Sequence, residues 1–279
     1  MVKKFKRLIW LWIQCAKSMR NITTFVPFLI YALFQIVLLY SLNNFSRSPF
    51  SNILVPIIRQ FFGEAALHYP NYYMIVSPLY SQMNIFLSGF LGIVLVGMAT
   101  QVFISNFRND VSNLGDAFKT TMSKYLALFV TWVIVSALTL LMIIGVPHVL
   151  NNFLNPPYFL GRLFDLFGLF FGIVVASIFA YTTVLIVVER VKVLQAISKT
   201  LSIFIKNVGT SFFLIGVPTA FYFPISYISR RIDLVIAKYS PETILVVLGI
   251  GIFITLISSY FQVGSVTRFY LLLNESKGY

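Results

Sequence analysis

Six stretches of this chain are apolar for about twenty residues each and carry no charge near their middle. They lie near residues 25–42, 85–104, 125–146, 164–188, 208–228 and 243–266. A helix of about twenty residues crosses the roughly 30 Å hydrocarbon core of a bilayer. Inside that core every backbone N–H and C=O must be satisfied within the segment, which leaves helices and closed barrels. No alternating ten-residue pattern suggests barrel strands. The fold class read from the sequence is therefore all-α integral membrane, a single polytopic domain over 1–279 with six transmembrane helices.

Composition supports this reading. Of the 279 residues 58% are hydrophobic and 10% charged, with a mean hydropathy of +0.87, whereas globular domains are about a quarter charged. No segment offers the long polar face that a soluble helical domain needs. Twenty-one Lys and Arg against eight Asp and Glu give a net +13. The cations sit between the apolar runs, where they act as topology signals and headgroup contacts rather than as a nucleic-acid surface.

Basic residues on alternate sides set the expected orientation. With the N-terminus inside, the outer segments hold only Arg47, Arg59, Arg162, Arg230, Arg231 and Lys238, and the other 15 are inside. This places both termini in the cytoplasm of a cell membrane, multi-pass. The last outer loop, with three of those six cations, is the exception. The first outer loop, Asn43 to Asn84, contains an apolar stretch from Ile53 to Phe62 interrupted by Pro56 and Arg59, expected as a helix in the outer interface. Tyr69, Tyr72, Tyr73 and Tyr80 are read as an interfacial belt in that loop. The N-terminal cations Lys3, Lys4, Lys6 and Arg7 precede a short apolar run with no small-residue cleavage site, so this segment reads as retained.

Ahead of each odd-numbered span a Lys is followed by a hydroxyl residue: Lys17-Ser18, Lys119-Thr120 and Lys199-Thr200. In the first of these segments Phe5, Leu8, Ile9, Trp12, Ile13 and Ala16 fall on one helical face, and in the third Leu194, Ile197, Leu201 and Phe204 do so. Such helices lie flat on a membrane, with Lys toward anionic headgroups. The expected architecture is three repeats of an interfacial amphipathic helix plus a two-span hairpin. Lys17, Lys119, Lys199 and Lys206 are the candidate headgroup-binding residues.

The loop after the fourth span carries Glu189, then Ala196, Ser198 and Leu201 on the amphipathic segment, then Lys206-Asn207 before the next span. In these residues it resembles the membrane domain fused to some bacterial glycerophosphoryl diester phosphodiesterases, and the six-span bacterial proteins similar to it. The resemblance implies the membrane architecture and no hydrolase activity, since no phosphodiesterase barrel accompanies it here.

Chemistry-bearing constellations are sparse. All eight acids fall at loops or span ends, which argues against a carboxylate relay for ion-coupled transport. Glu64, His68, His148 and Asp165 would make a metal site only if two outer loops met, and solvated histidines are the simpler reading. The single Cys15 supports neither an intrachain disulfide nor a cysteine metal cluster. No nucleophile elbow or Gly-rich phosphate loop is present. Gly168, Gly172, Ala176 and Ala180 form a small-residue stripe for helix packing, with Ser88, Gly89 and Gly92 in a similar role in the second span. Pro27, Pro218 and Pro224 are expected to kink spans one and five. The functional reading is a non-catalytic scaffold or regulator of a membrane process, without cofactor or metal. Its expected partners are anionic lipids on the cytoplasmic side and an unidentified protein, with no nucleic acid. A transporter of lipid or amphipathic solute is the alternative, and a metal-dependent enzyme at the outer face the weaker one.

Overall fold

The computed structural model describes residues 2–111, 113–154, 158–229, 232, 236 and 238–275. Arg230, Arg231, Asp233 and Lys277, which entered the charge count, lie outside the described residues, as do the side chains of Lys3, Lys4, Phe5, Arg162 and Asp165.

Among the described residues every regular element is helical, and five helices are long and apolar enough to cross a membrane, or six if one sharply bent pair counts as a span. In chain order the α-helices are α1 (Val2–Ser18), α2 (Val26–Asn43), α3 (Ser51–Phe62), α4 (Asn71–Leu87), α5 (Ile93–Arg108), α6 (Leu114–Met122) and α7 (Tyr125–Leu140). There follow α8 (Val146–Leu154), α9 (Tyr158–Ile178), α10 (Thr182–Val188), α11 (Val193–Lys206), α12 (Val208–Ala220), α13 (Phe223–Ser229) and α14 (Thr243–Glu275).

Five of the apolar segments differ from their sequence-based bounds, the sixth by running on to Glu275. The second is one helix from Asn71 to Arg108, through a π-helical turn at Ser88–Gly92. Tyr72, Val76, Leu79 and Tyr80 are buried along one face of α4, so three of the tyrosines assigned to the outer loop belong to a helix. Tyr72, Val76 and Tyr80 at i, i+4 and i+8 carry helical periodicity, so the two tyrosines fit a helix face as well as an interfacial belt. The third segment likewise continues through a π turn at Leu141–Gly145. Pro147 has no N–H for the carbonyl of Ile143, and Val146 N–H bonds the carbonyl of Leu141 instead. The fourth is interrupted between Ile178 and Thr182.

The fifth segment is not a continuous helix of spanning length. α12 has 13 residues and α13 has 7. The ring of Pro224 would collide with the Ala220 carbonyl if the helix ran on, and the chain turns at Phe221 and Tyr222. Lys206 and Val208 are separated by a 100° bend between α11 and α12.

The chain divides into two compact units. The first comprises residues 1–27, 93–219 and 260–279, the second 28–92 and 220–259. The first holds α1, α6 and α11, and its core joins Leu8 and Leu11 of α1, Val94 of α5, Leu185 of α10, Leu214 of α12 and Phe269 of α14. Gly168 and Gly172 of α9 lie against the π turn of the third segment. A Cβ on Gly168 would sit 2.7 Å from Pro147 Cγ and 3.0 Å from the Ile143 carbonyl oxygen, the same carbonyl that Pro147 leaves without its helical donor. A Cβ on Gly172 would sit 2.8 Å from Ile143 Cγ1. Ala176 and Ala180 pack on the core of this unit.

In the second unit α3 is a helix despite Pro56, with Leu54 and Ile58 buried. Gln35, 2% exposed, donates to Asn84 Oδ1 at 2.9 Å, and Tyr31 donates to the same oxygen at 3.3 Å. A Cβ on Gly92 would meet the Tyr31 ring at 3.4 Å. This amide pair between two apolar helices, with Gln35 buried and Asn84 half-buried, was not anticipated from the sequence. Neutral amides carry no charge signal, and Gln35 is flanked by large apolar residues.

Large side chains such as Leu33, Phe213, Val246 and Phe253 are exposed on the apolar helices. Only 11% of the most apolar window of the helix at residues 125–150 is buried. Each large apolar side chain left in water forgoes about 1.5–3 kcal/mol. These faces require an apolar surrounding.

Candidate functional site

The three short amphipathic helices share a docking rule. On α1 the buried residues are Leu8, Leu11, Cys15 and Ser18; on α6 they are Ala117 and Thr121; on α11 they are Ala196 and Thr200. α6 and α11 thus turn small residues to the protein, and α1 does so in its last turns at Cys15 and Ser18 while burying Leu8 and Leu11 earlier. Each helix leaves other large apolar side chains facing outward. Ile9 and Ile13 of α1, Phe118 and Met122 of α6, and Leu194, Leu201 and Ile205 of α11 are all exposed. On α1 this separates residues that the sequence placed on one face: Leu8 is buried whereas Ile9 and Ile13 are not.

Close approach explains the small residues. A Cβ on Gly264 of α14 would lie 2.5 Å from Cys15 Sγ, and one on Gly97 of α5 would lie 2.5 Å from Thr121 Cγ2. Glycine at these two positions lets α1 seat on α14 and α6 on α5. The third helix, α11, packs on α10. Both α5 and α10 end in a left-handed residue, Asn109 at φ 60° and Arg190 at φ 54°, from which the chain enters α6 and α11. Such a residue closes a helix and frees the chain to leave at an angle.

The chemistry at the three seats differs. At the α11 seat Lys199 pairs with Glu189, and Glu189 also accepts from the Tyr270 hydroxyl of α14. Lys199, a candidate headgroup contact, is therefore neutralised locally. At the α6 seat a small cavity of about 140 Å³ is lined by Gln101, Ser105, Asn113, Asp116 and Thr120 among others. Lys119 and Lys206 are exposed.

At the α1 seat Tyr260 of α14 stands between the rings of Phe25 and Phe103, each 5.0 Å away, and its hydroxyl lies 3.0 Å from both Ser18 Oγ and Thr24 Oγ1. Asn21 donates to Asn106 Oδ1 at 3.1 Å, tying the turn after α1 to α5. Beside this anchor lies an open cavity of about 410 Å³ lined by Gln14, Lys17, Ser18, Arg20, Asn21, Asn106, Phe107, Asn109 and Arg268. Three lining residues are cations and none is an acid. The Arg268 guanidinium carbon is 5.5 Å from the ring centres of Trp10 and of Phe107, and Nη1 reaches Glu275 at 3.4 Å. Arg268 Nε is buried with no hydrogen-bond partner.

No family model matches the chain, and no curated protein or solved structure matches it.

The structure thus brings Lys17 together with Arg20 and Arg268. Arg268 was read from the sequence only as a topology charge, because nothing local links it to Lys17. Elsewhere, Glu64 pairs with Arg59, and His148 Nε2 lies 3.0 Å from the Asn152 amide. No group of three or more His, Cys, Asp or Glu is placed to hold a metal among the described residues. Burial without a charged neighbour pushes the Cys15 thiol up to about 12, which suits packing and not nucleophilic chemistry.

Proposed function

We propose that this chain is a non-catalytic integral membrane protein that scaffolds or regulates a membrane process from the inner face of a cell membrane. It would be multi-pass, with both termini cytoplasmic and three lysine-bearing amphipathic helices held against anionic headgroups. The observation that carries this reading is the two-sidedness of α1, α6 and α11, each of which buries one face on the bundle while Ile9, Ile13, Phe118, Met122, Leu194, Leu201 and Ile205, with Lys17, Lys119 and Lys206, stay exposed. A helix exposed in that pattern is stabilised at the boundary between headgroups and acyl chains. Docking of α6 and α11 on the ends of α5 and α10, and of α1 on α14, seats each amphipathic helix on the bundle.

Transport of a lipid or amphipathic solute is the second reading. It is favoured by the break between α12 and α13 and by the π turns at Ser88–Gly92 and Leu141–Gly145, since such irregularities free backbone carbonyls inside a bundle.

Gentle extraction from native membranes followed by mass spectrometry of bound proteins and lipids tests the reading. A recurring protein partner together with enriched anionic lipid supports the scaffold. Enriched lipid without a protein partner shifts the balance to lipid handling. Neither one bound contradicts both.

A further inference from the structure

We infer that the cavity beside α1 is a binding site for a phosphate group, carried either by a phospholipid headgroup or by a free phosphate compound. The inference deepens the reading above and rests on it, because the cavity must lie at the level of the headgroups. α14 is 33 residues long, about 50 Å at 1.5 Å per residue, so its last turns extend beyond a hydrocarbon core of roughly 30 Å. Arg268 lies in those turns, on the side where the cations concentrate.

Charge and size both point to an anion. Lys17, Arg20 and Arg268 line one cavity with no carboxylate among the lining residues, and Gln14, Asn21, Asn106 and Asn109 add amide donors. The α6 cavity is unsuited because Asp116 lines it, and at the α11 seat the lysine is paired with Glu189. Arg268 also reaches a carboxylate, Glu275, through Nη1 at 3.4 Å, but Glu275 is more than half exposed and does not line the cavity. A volume of about 410 Å³ lies in the range of small-ligand sites, roughly 300–1,000 Å³. Arg268 is also pre-positioned. Its side chain is 18% exposed and held between the rings of Trp10 and Phe107, and a planar guanidinium so fixed loses little freedom on gripping a phosphate. Its Nε is buried without a hydrogen-bond partner in the protein.

The full chain, purified in a neutral detergent, is titrated with phosphatidic acid diluted into micelles. Phosphatidylcholine is the zwitterionic control and inorganic phosphate the competitor. Phosphatidic acid is expected to bind at least tenfold more tightly than phosphatidylcholine, and Arg268→Gln to weaken it at least tenfold. Because Arg268 also packs between two rings, the exposed pair Lys17→Gln/Arg20→Gln provides the same test at positions that folding does not need. The charge-matched surface pair Arg47→Gln/Lys192→Gln should leave binding unchanged. Loss confined to the cavity variants supports the site. In that case competition by millimolar inorganic phosphate identifies a free phosphate compound as the ligand, and no competition identifies the lipid. Equal losses in the cavity and control pairs overturn the cavity and leave the basic membrane face intact. No preference for phosphatidic acid in the wild type overturns both.

Discussion

Single residues fix how closely the amphipathic helices can approach the bundle. At Gly97 the nearest atom to an added Cβ is Thr121 Cγ2 at 2.5 Å, followed by Leu128 Cδ1 at 3.3 Å. Gly97→Ala should destabilise the protein by about 1–3 kcal/mol, the usual cost of overpacking. Adding Thr121→Ser removes the clashing methyl and should recover most of that loss, a non-additivity that thermal unfolding of the four variants measures directly. Cys15 gives a second check. With its thiol held up to about 12 and buried, native protein at pH 8 should resist maleimide, and unfolded protein should react readily. The sign for stability follows. Between pH 9 and 12 the unfolded thiol ionises and the folded one does not, so stability should fall as pH rises through that window.

Among elements, α11 is tied through one carboxylate. Glu189 holds Lys199 of α11 and the Tyr270 hydroxyl of α14, while α10 runs directly into it. The ion pair is half exposed on the lysine side, so Lys199→Gln should cost under about 1 kcal/mol. Glu189→Ala removes both contacts and should cost more. Hydrogen exchange in Val193–Lys206 should rise clearly for Glu189→Ala and barely for Lys199→Gln. The sequence showed that a Lys-bearing amphipathic helix precedes each odd span, because hydrophobic periodicity is local. It did not show that Lys199 is paired, since Glu189 and Lys199 meet only when the chain folds back at Arg190. Nor did it show which face docks. Apart from Leu8 and Leu11 of α1, most of the large apolar residues of these helices point outward, whereas Cys15, Ala117 and Ala196 make the closest contacts. The start of α4 was hidden because tyrosines read as an interfacial belt, and the break before α13 was only hinted at by Pro218 and Pro224. Arg268 could not be grouped with Lys17 and Arg20, because that grouping depends on α14 seating against α1 through Gly264.

For the molecule as a whole, burial and charge lead to one arrangement. The apolar helices expose side chains that water would penalise, and the amphipathic helices carry eight of the 21 Lys and Arg of the chain. A membrane would satisfy both, and in the proposed function the basic layer lies on its inner side. The account stands on that orientation, and the most direct measurement is the sidedness of single cysteines. In a Cys15→Ala background, Ser46→Cys after α2, Ser123→Cys after α6 and Ser198→Cys on α11 all lie at exposed positions. A membrane-impermeant maleimide added to intact cells should label Ser46→Cys at once, and should label Ser123→Cys and Ser198→Cys only after the membrane is opened. Labelling of either of the latter two from outside would place an amphipathic helix on the wrong face and contradict the account.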